Sequence, residues 1–222
     1  MLSRNLCAPK LPAHSKGGIF FMSRCLLGLV SVALTAGLAL AIPAAAETET
    51  WQLDPPHSAA QFSVRHMGIS TVRGTFTKVN GTVQYDTSDP TKSSVEVTID
   101  AASVDSRVEK RDNDLRSDHF LDVQKYPTIS FKSKRVDQAG QGKLKVTGDL
   151  TIHGVTKQAV LDVEGPSQPM KDPRGNLHMG ATATTTINRT DFGITSFPGM
   201  VGNDVSITID VEMIKASGAG TK

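Results

Sequence analysis

The sequence predicts an all-β fold with one short helical insertion, on three observations. Apolar and polar residues alternate with period two in several stretches, turn-forming clusters separate those stretches at short intervals, and one charge-rich segment breaks the pattern. In chain order, Phe62, Val64 and His66 share one strand face, with Ser63 and Arg65 on the other. Val95, Val97 and Ile99 alternate with Glu96, Thr98 and Asp100. Leu144, Val146, Leu150 and Ile152 alternate with Lys143, Lys145, Thr147, Asp149 and Thr151, and Val205, Ile207, Ile209 and Val211 with Ser206, Thr208, Asp210 and Glu212. Each reads as a strand with one buried and one wet face. Turns are expected at Asn80-Gly81, Ser88-Asp89-Pro90, Gly140-Gln141-Gly142, His153-Gly154 and Asp172-Pro173-Arg174-Gly175. The stretch 108–123, VEKRDNDLRSDHFLDV, predicts one or two short helices.

Such strands build either a sandwich or a barrel. The alternating segments carry many small residues (Ala60, Gly74, Gly81, Gly148, Ala181, Ala183) beside a few aromatics. Small inward residues leave room, and a closed sheet of about eight strands is just wide enough to hold one small ligand. The pattern therefore leans towards a barrel with a cavity.

The first 46 residues read as a leader. They carry Arg4, Lys10, Lys16 and Arg24 and no acid, then an apolar run from Leu26 that ends at Pro43 and Ala44-Ala45-Ala46. That is the pattern of a secretory signal peptide cleaved after Ala46, with Met22 the expected initiator. The run is short for a membrane span and interrupted by Ser31, Thr35, Gly37 and Pro43, so no transmembrane segment is expected after cleavage. Removing 46 of the 222 residues leaves 176, one domain expected over 47–216, followed by a disordered tail at 217–222. Both cysteines, Cys7 and Cys25, leave with the leader, so neither a disulfide nor a thiolate nucleophile is available. Four of the 24 basic residues and none of the 22 acidic ones go too, leaving 20 against 22, a net charge of −2. Nucleic acid has no electrostatic support as a partner.

Motifs for catalysis are lacking. There is no G-x-S-x-G elbow, no glycine-rich phosphate loop and no H-E-x-x-H. His57 and His66, the nearest histidine pair, are too far apart for local metal ligation, so no metal is predicted unless distant strands assemble a site. The charged run Glu109 to Asp114 reads as a solvated helix start or as a polar rim where Arg111 and Asp112 meet a head group; Arg189, near Asp191, carries the same two readings. Phe192 to Val201 is a loop with several large apolar residues, which either cap the core or form a lid.

Eight stretches in order carry a resemblance. They run from Asp54…His57-Ser58 through Phe62-x-Val64-x-His66, Gly74-x-Phe76, Arg111-Asp112…Phe120, Tyr126-Pro127…Phe131 and the segment GDLTIHGVTK at 148–157 to Arg189…Asp191-Phe192-Gly193 and Gly202-Asn203-Asp204-Val205. Over about 51–214 the chain resembles the YceI-like family of periplasmic polyisoprenoid-binding proteins. The resemblance implies an antiparallel lipocalin-like β-barrel of about eight strands, periplasmic and non-catalytic, whose apolar pore holds a long-chain isoprenoid or quinone-like lipid. It implies pore-wall or lid positions for Phe62, Val64, His66, Phe76, Phe131, Leu150, Ile152, Phe192 and Phe197. Arg111, Asp112 and Arg189 remain head-group candidates, no cofactor beyond such a lipid is called for, and the exposed strands leave room for a homodimer. One departure stands out: where the family is expected to read Arg-Asp-x-His-Leu, this chain has Arg111-Asp112-Asn113-Asp114-Leu115. Two other readings stay open. In one the barrel is a secreted, stress-related scaffold without cargo; in the other, an enzyme acts on an isoprenoid lipid through His57, His66 or His153 with Asp112 or Asp191.

Overall fold

In the computed structural model, which describes residues 48–217, the alternating stretches become antiparallel strands that close on themselves. The leader expected over 1–46 and residues 218–222 of the expected tail fall outside the described residues. β1 (Thr48–Leu53) and β2 (Ala59–His66) follow one path, interrupted at Asp54-Pro55-Pro56-His57. The break is chemical, since proline has no N–H to give to a ladder. β3 (Ser70–Phe76) with β4 (Val79–Asp86), and β5 (Ser94–Asp100) with the short β6 (Val104–Asp105), form two more divided staves. β7 (Thr128–Gly140), β8 (Lys143–Ile152), β9 (Val155–Glu164), the two-residue β10 (Met170–Lys171), β11 (Leu177–Asn188) and β12 (Val201–Lys215) follow.

The order around the barrel is β1, β4, β5, β7, β8, β9, β11, β12 and back to β1, every pairing antiparallel. One edge of β12 pairs with β11 from Asn188↔Asp204 to His178↔Ile214. Its other edge takes β1 at Leu53↔Met213 and then β2 from Ala59↔Asp210 to His66↔Val201. Beyond β2 the sheet continues through β3 to β6. The fold is thus a closed eight-stranded antiparallel barrel with one helix, as the alternation and the small residues predict.

Among the described residues the single α-helix, α1 (Glu109–Arg116), lies within the predicted insertion, between β6 and β7. Arg116 ties it to the barrel, donating from Nε to the Ala102 carbonyl at 2.9 Å and from Nη2 to the Val104 carbonyl at 2.6 Å. Ser106 anchors its start: the Asp112 carboxylate accepts from the Ser106 N–H at 2.8 Å and from its hydroxyl at 2.5 Å. Arg111 Nε donates to that same hydroxyl at 2.7 Å.

Four of the five expected turns are turns. His153-Gly154 joins β8 to β9 with φ of 51° and 72°, the left-handed pair that a two-residue hairpin needs. Asn80-Gly81 is not a turn; it lies inside β4, opposite Thr98 and Val97. Gly81 is there for close approach, because a Cβ would meet the Glu96 carbonyl oxygen at 2.6 Å. The small residues also divide into two kinds. Ala60, Ala181 and Ala183 face the interior and leave space. Gly74 and Gly148 lie under the rings of Phe62 and Phe131, which occupy the volume a side chain would take.

Gly148→Ala tests that account. The new methyl would meet Phe131 Cζ at 2.6 Å and the Lys132 carbonyl carbon at 2.9 Å, and the backbone cannot yield as a side chain can. Overpacking of this kind costs about 1–3 kcal/mol, which urea unfolding should register as a lowered midpoint with an unchanged slope.

Candidate functional site: an apolar cavity in the barrel

Inward faces of the strands enclose a cavity of about 500 Å³, within the usual range for small-molecule sites. Its wall is built by alternation. Val95, Val97 and Ile99 of β5, Leu144, Val146, Leu150 and Ile152 of β8, and Val205, Ile207, Ile209 and Val211 of β12 all line it. Phe62, Val64, His66, Phe76, Phe131, Leu150, Ile152, Phe192 and Phe197 all lie on this wall or its rim. Phe62 and Phe76 pack with ring centroids 5.8 Å apart. On β9 and β11, Leu161, Val163, Met179 and Ile187 also line the wall and were not singled out from sequence, although they alternate in the same way.

One end of the cavity is closed by α1 and by the loop after β11. Arg111, Asp114 and Leu115 of the helix reach it, followed by Phe120 and Leu121. The loop does both jobs that its apolar residues suggest. Phe192 and Ile194 are buried in the core, whereas Phe197 and Met200 are 38% and 49% exposed at the rim. Phe197 stacks on Phe120 at 5.7 Å, and the His119 ring meets its face edge-on at 5.4 Å. The hairpin before β9 holds the base of this loop through a contact of 3.2 Å between His153 Nδ1 and the Phe192 carbonyl. On the β2–β3 hairpin, Met67 and Ile69 are 55% and 79% exposed, and the Met67 N–H donates to the Met200 carbonyl at 2.7 Å.

The three head-group candidates separate. Arg111 lines the cavity with its guanidinium tethered to Ser106, whose carbonyl Nη2 meets at 2.8 Å. Asp112 is not on the cavity wall: it is buried and spent on Ser106. Arg189 touches the cavity, but its guanidinium is buried and donates to the carbonyls of Gly202, Ile194 and Val201 at 3.0, 2.7 and 3.0 Å. Burial pulls its pKa below the ordinary value. It holds the lid loop against the start of β12. Arg65, overlooked in the sequence because it alternates with Val64 and His66, lies at the rim.

Asp114, where the family pattern expects histidine, does not leave the rim without an imidazole. Its carboxylate lies 2.7 Å from His119 Nδ1. Among the described residues, His57 and His178 also have carboxylate partners, but neither lines the cavity. His66 lines the cavity without such a partner. No helix of the described residues is long and apolar enough to cross a membrane.

A closed barrel with an apolar chamber and a few polar groups at one rim defines a small-ligand-binding barrel of the lipocalin-like kind. The chain belongs to the YceI-like domain family, whose model matches residues 51–213. A UPF0312 protein of Vibrio cholerae is 40% identical over 170 residues, covering 75% of this chain and 87% of that one. The solved YceI protein of Campylobacter jejuni is 32% identical with a TM-score of 0.62, covering 69% of this chain and 90% of that one. A polyisoprenoid binding domain from Saccharophagus degradans, 16% identical, shares the fold with a TM-score of 0.56, covering 77% of this chain and 100% of that one.

The rim pair makes a prediction about pH. Hydrogen bonding to Asp114 is the main cause that raises the His119 pKa above its ordinary 6.5; burial opposes it, and the charges of Asp114 and Asp118 add lesser upward effects. The contact therefore stabilises fully below pH 6.5 and fades as pH rises through the folded-state value. In Asp114→Asn the His119 midpoint, followed by NMR titration, should fall towards 6.5.

Proposed function

We propose that this protein is an exported, periplasmic, non-catalytic carrier that holds the tail of a long-chain isoprenoid or quinone-like lipid inside the barrel. The observation that carries the reading is the cavity itself, about 500 Å³ bounded by aliphatic and phenylalanine side chains. Each buried CH₂ contributes roughly 0.8 kcal/mol, so ten of them supply about 8 kcal/mol without a polar contact. The polar end of the ligand then lies at the rim, within reach of Arg65, Arg111 and His66. The Saccharophagus degradans domain, described as polyisoprenoid binding, supports the ligand class, and the signal-like start of the sequence supports export. Among the described residues, His66 on the cavity wall has no carboxylate partner and the His119–Asp114 pair lies at the rim, which favours carriage over chemistry inside the chamber.

Native mass spectrometry of protein purified from cells, with solvent extraction, is the direct test. A discrete extra mass that extracts as a polyprenyl or quinone species is expected. A bare mass, with refusal of added isoprenoids, would sink the reading. Ala183→Phe, which fills the chamber from β11, and Val64→Asp, which puts a charge on its wall, should each lose at least about nine-tenths of the retained lipid. Retention equal to the parent in both would move the lipid out of the barrel.

A further inference from the structure

Away from the cavity, the strand register brings a distant metal-ligating side chain to two that are close in sequence. Asp54 and His57 belong to the proline-bearing break between β1 and β2; Glu212 belongs to β12. One ligand atom from each of the three lies within 4.8 Å of the other two. Donors about 2.0–2.2 Å from a tetrahedral zinc are about 3.4 Å apart from one another. Small side-chain rotations therefore suffice to enclose an ion. The scaffold beneath them is fixed. The Asp54 N–H donates to the Glu212 carbonyl at 2.8 Å, and the Glu212 N–H reaches the Ser58 hydroxyl at 3.2 Å.

The surroundings suit a cation. His57 Nδ1 lies 2.6 Å from Asp54 Oδ2, and the ring is 64% exposed, which leaves the outer side open to water. Behind Glu212, His178 Nδ1 meets Oε1 at 2.7 Å while its Nε2 faces Asp172 Oδ2 at 3.3 Å. Three carboxylates thus surround two imidazoles. A carboxylate braced by a second imidazole, as Glu212 is by His178, is the kind of outer contact that orients ligands in metal sites.

We propose that Asp54, His57 and Glu212 form a surface binding site for a first-row divalent cation, zinc foremost, with water completing the shell and His178 and Asp172 positioning Glu212. One nitrogen and two carboxylate donors match the borderline character of such ions. The site lies outside the barrel and stands independently of the lipid reading.

The test uses protein purified without a polyhistidine tag and stripped of metal, titrated with zinc and, in parallel, with cobalt(II) as a coloured substitute. One ion per chain is expected, with visible cobalt bands. His57→Gln, Asp54→Asn and Glu212→Gln should each weaken binding at least about tenfold. His119→Gln removes the histidine–carboxylate pair at the cavity rim and should leave binding unchanged. Melting curves verify that the three variants fold; the two isosteric substitutions, Asp54→Asn and Glu212→Gln, preserve shape if His57→Gln does not. Uptake that fails to saturate at one ion, or that survives all three substitutions, overturns the proposal.

Discussion

The fifteen residues of β12 carry hydrogen-bonded neighbours along both edges, and everything else in the molecule depends on that. An open sheet of alternating strands would expose one apolar face and two unpaired edges. Because one flank of β12 accepts two successive partners, β1 and then β2, the sheet closes while the chain turns outward at Pro55-Pro56 between them. Closure converts an amphipathic ribbon into an inside and an outside, so the apolar faces of all eight staves meet around a common axis.

That interior is enclosed without being filled. Trp51, Val79, Leu53 and Met213 are buried in the core, and Phe62 and Phe131 lie against glycines of adjacent strands. Polar groups that enter this region are fully employed, and no buried side-chain nitrogen or oxygen of the described residues lacks a partner. Arg189 binds three carbonyls, and Asp112 binds Ser106 twice. These charges secure the lid loop and the helix, which shape one end of the chamber.

Much of this was legible in the sequence, because period-two alternation reports directly which side chains share a face. The faces read from 95–99, 144–152 and 205–211 are the cavity wall, and the segment without alternation contains the helix. Asn80-Gly81 misled because its composition suits a turn equally well; only the Glu96 carbonyl across the ladder explains the glycine. Asp112 and Arg189 misled for another reason. Charge at a helix start or near a strand end looks available until the groups it serves are seen, and those belong to the tertiary structure. The grouping of Asp54, His57 and Glu212 follows from the β1–β12 register, which no local pattern encodes.

The overlay of Phe62 on Gly74, and of Phe131 on Gly148, bears on how this barrel can vary through descent. Each aromatic and its glycine sit on adjacent strands, Phe62 directly opposite Gly74 and Phe131 beside Leu150 and Gly148. Enlarging a glycine alone collides with the ring, and shrinking the phenylalanine alone opens a void. At Gly74 the close contacts are ring atoms of Phe62, so exchanging bulk between these two keeps the volume while moving it from one stave to the next; at Gly148 the Lys132 backbone blocks a side chain whatever stands at 131. Positions 62 and 74 are therefore expected to change together across lineages, altering the contour of the bore while the ladder beneath stays intact, whereas Gly148 is expected to stay glycine.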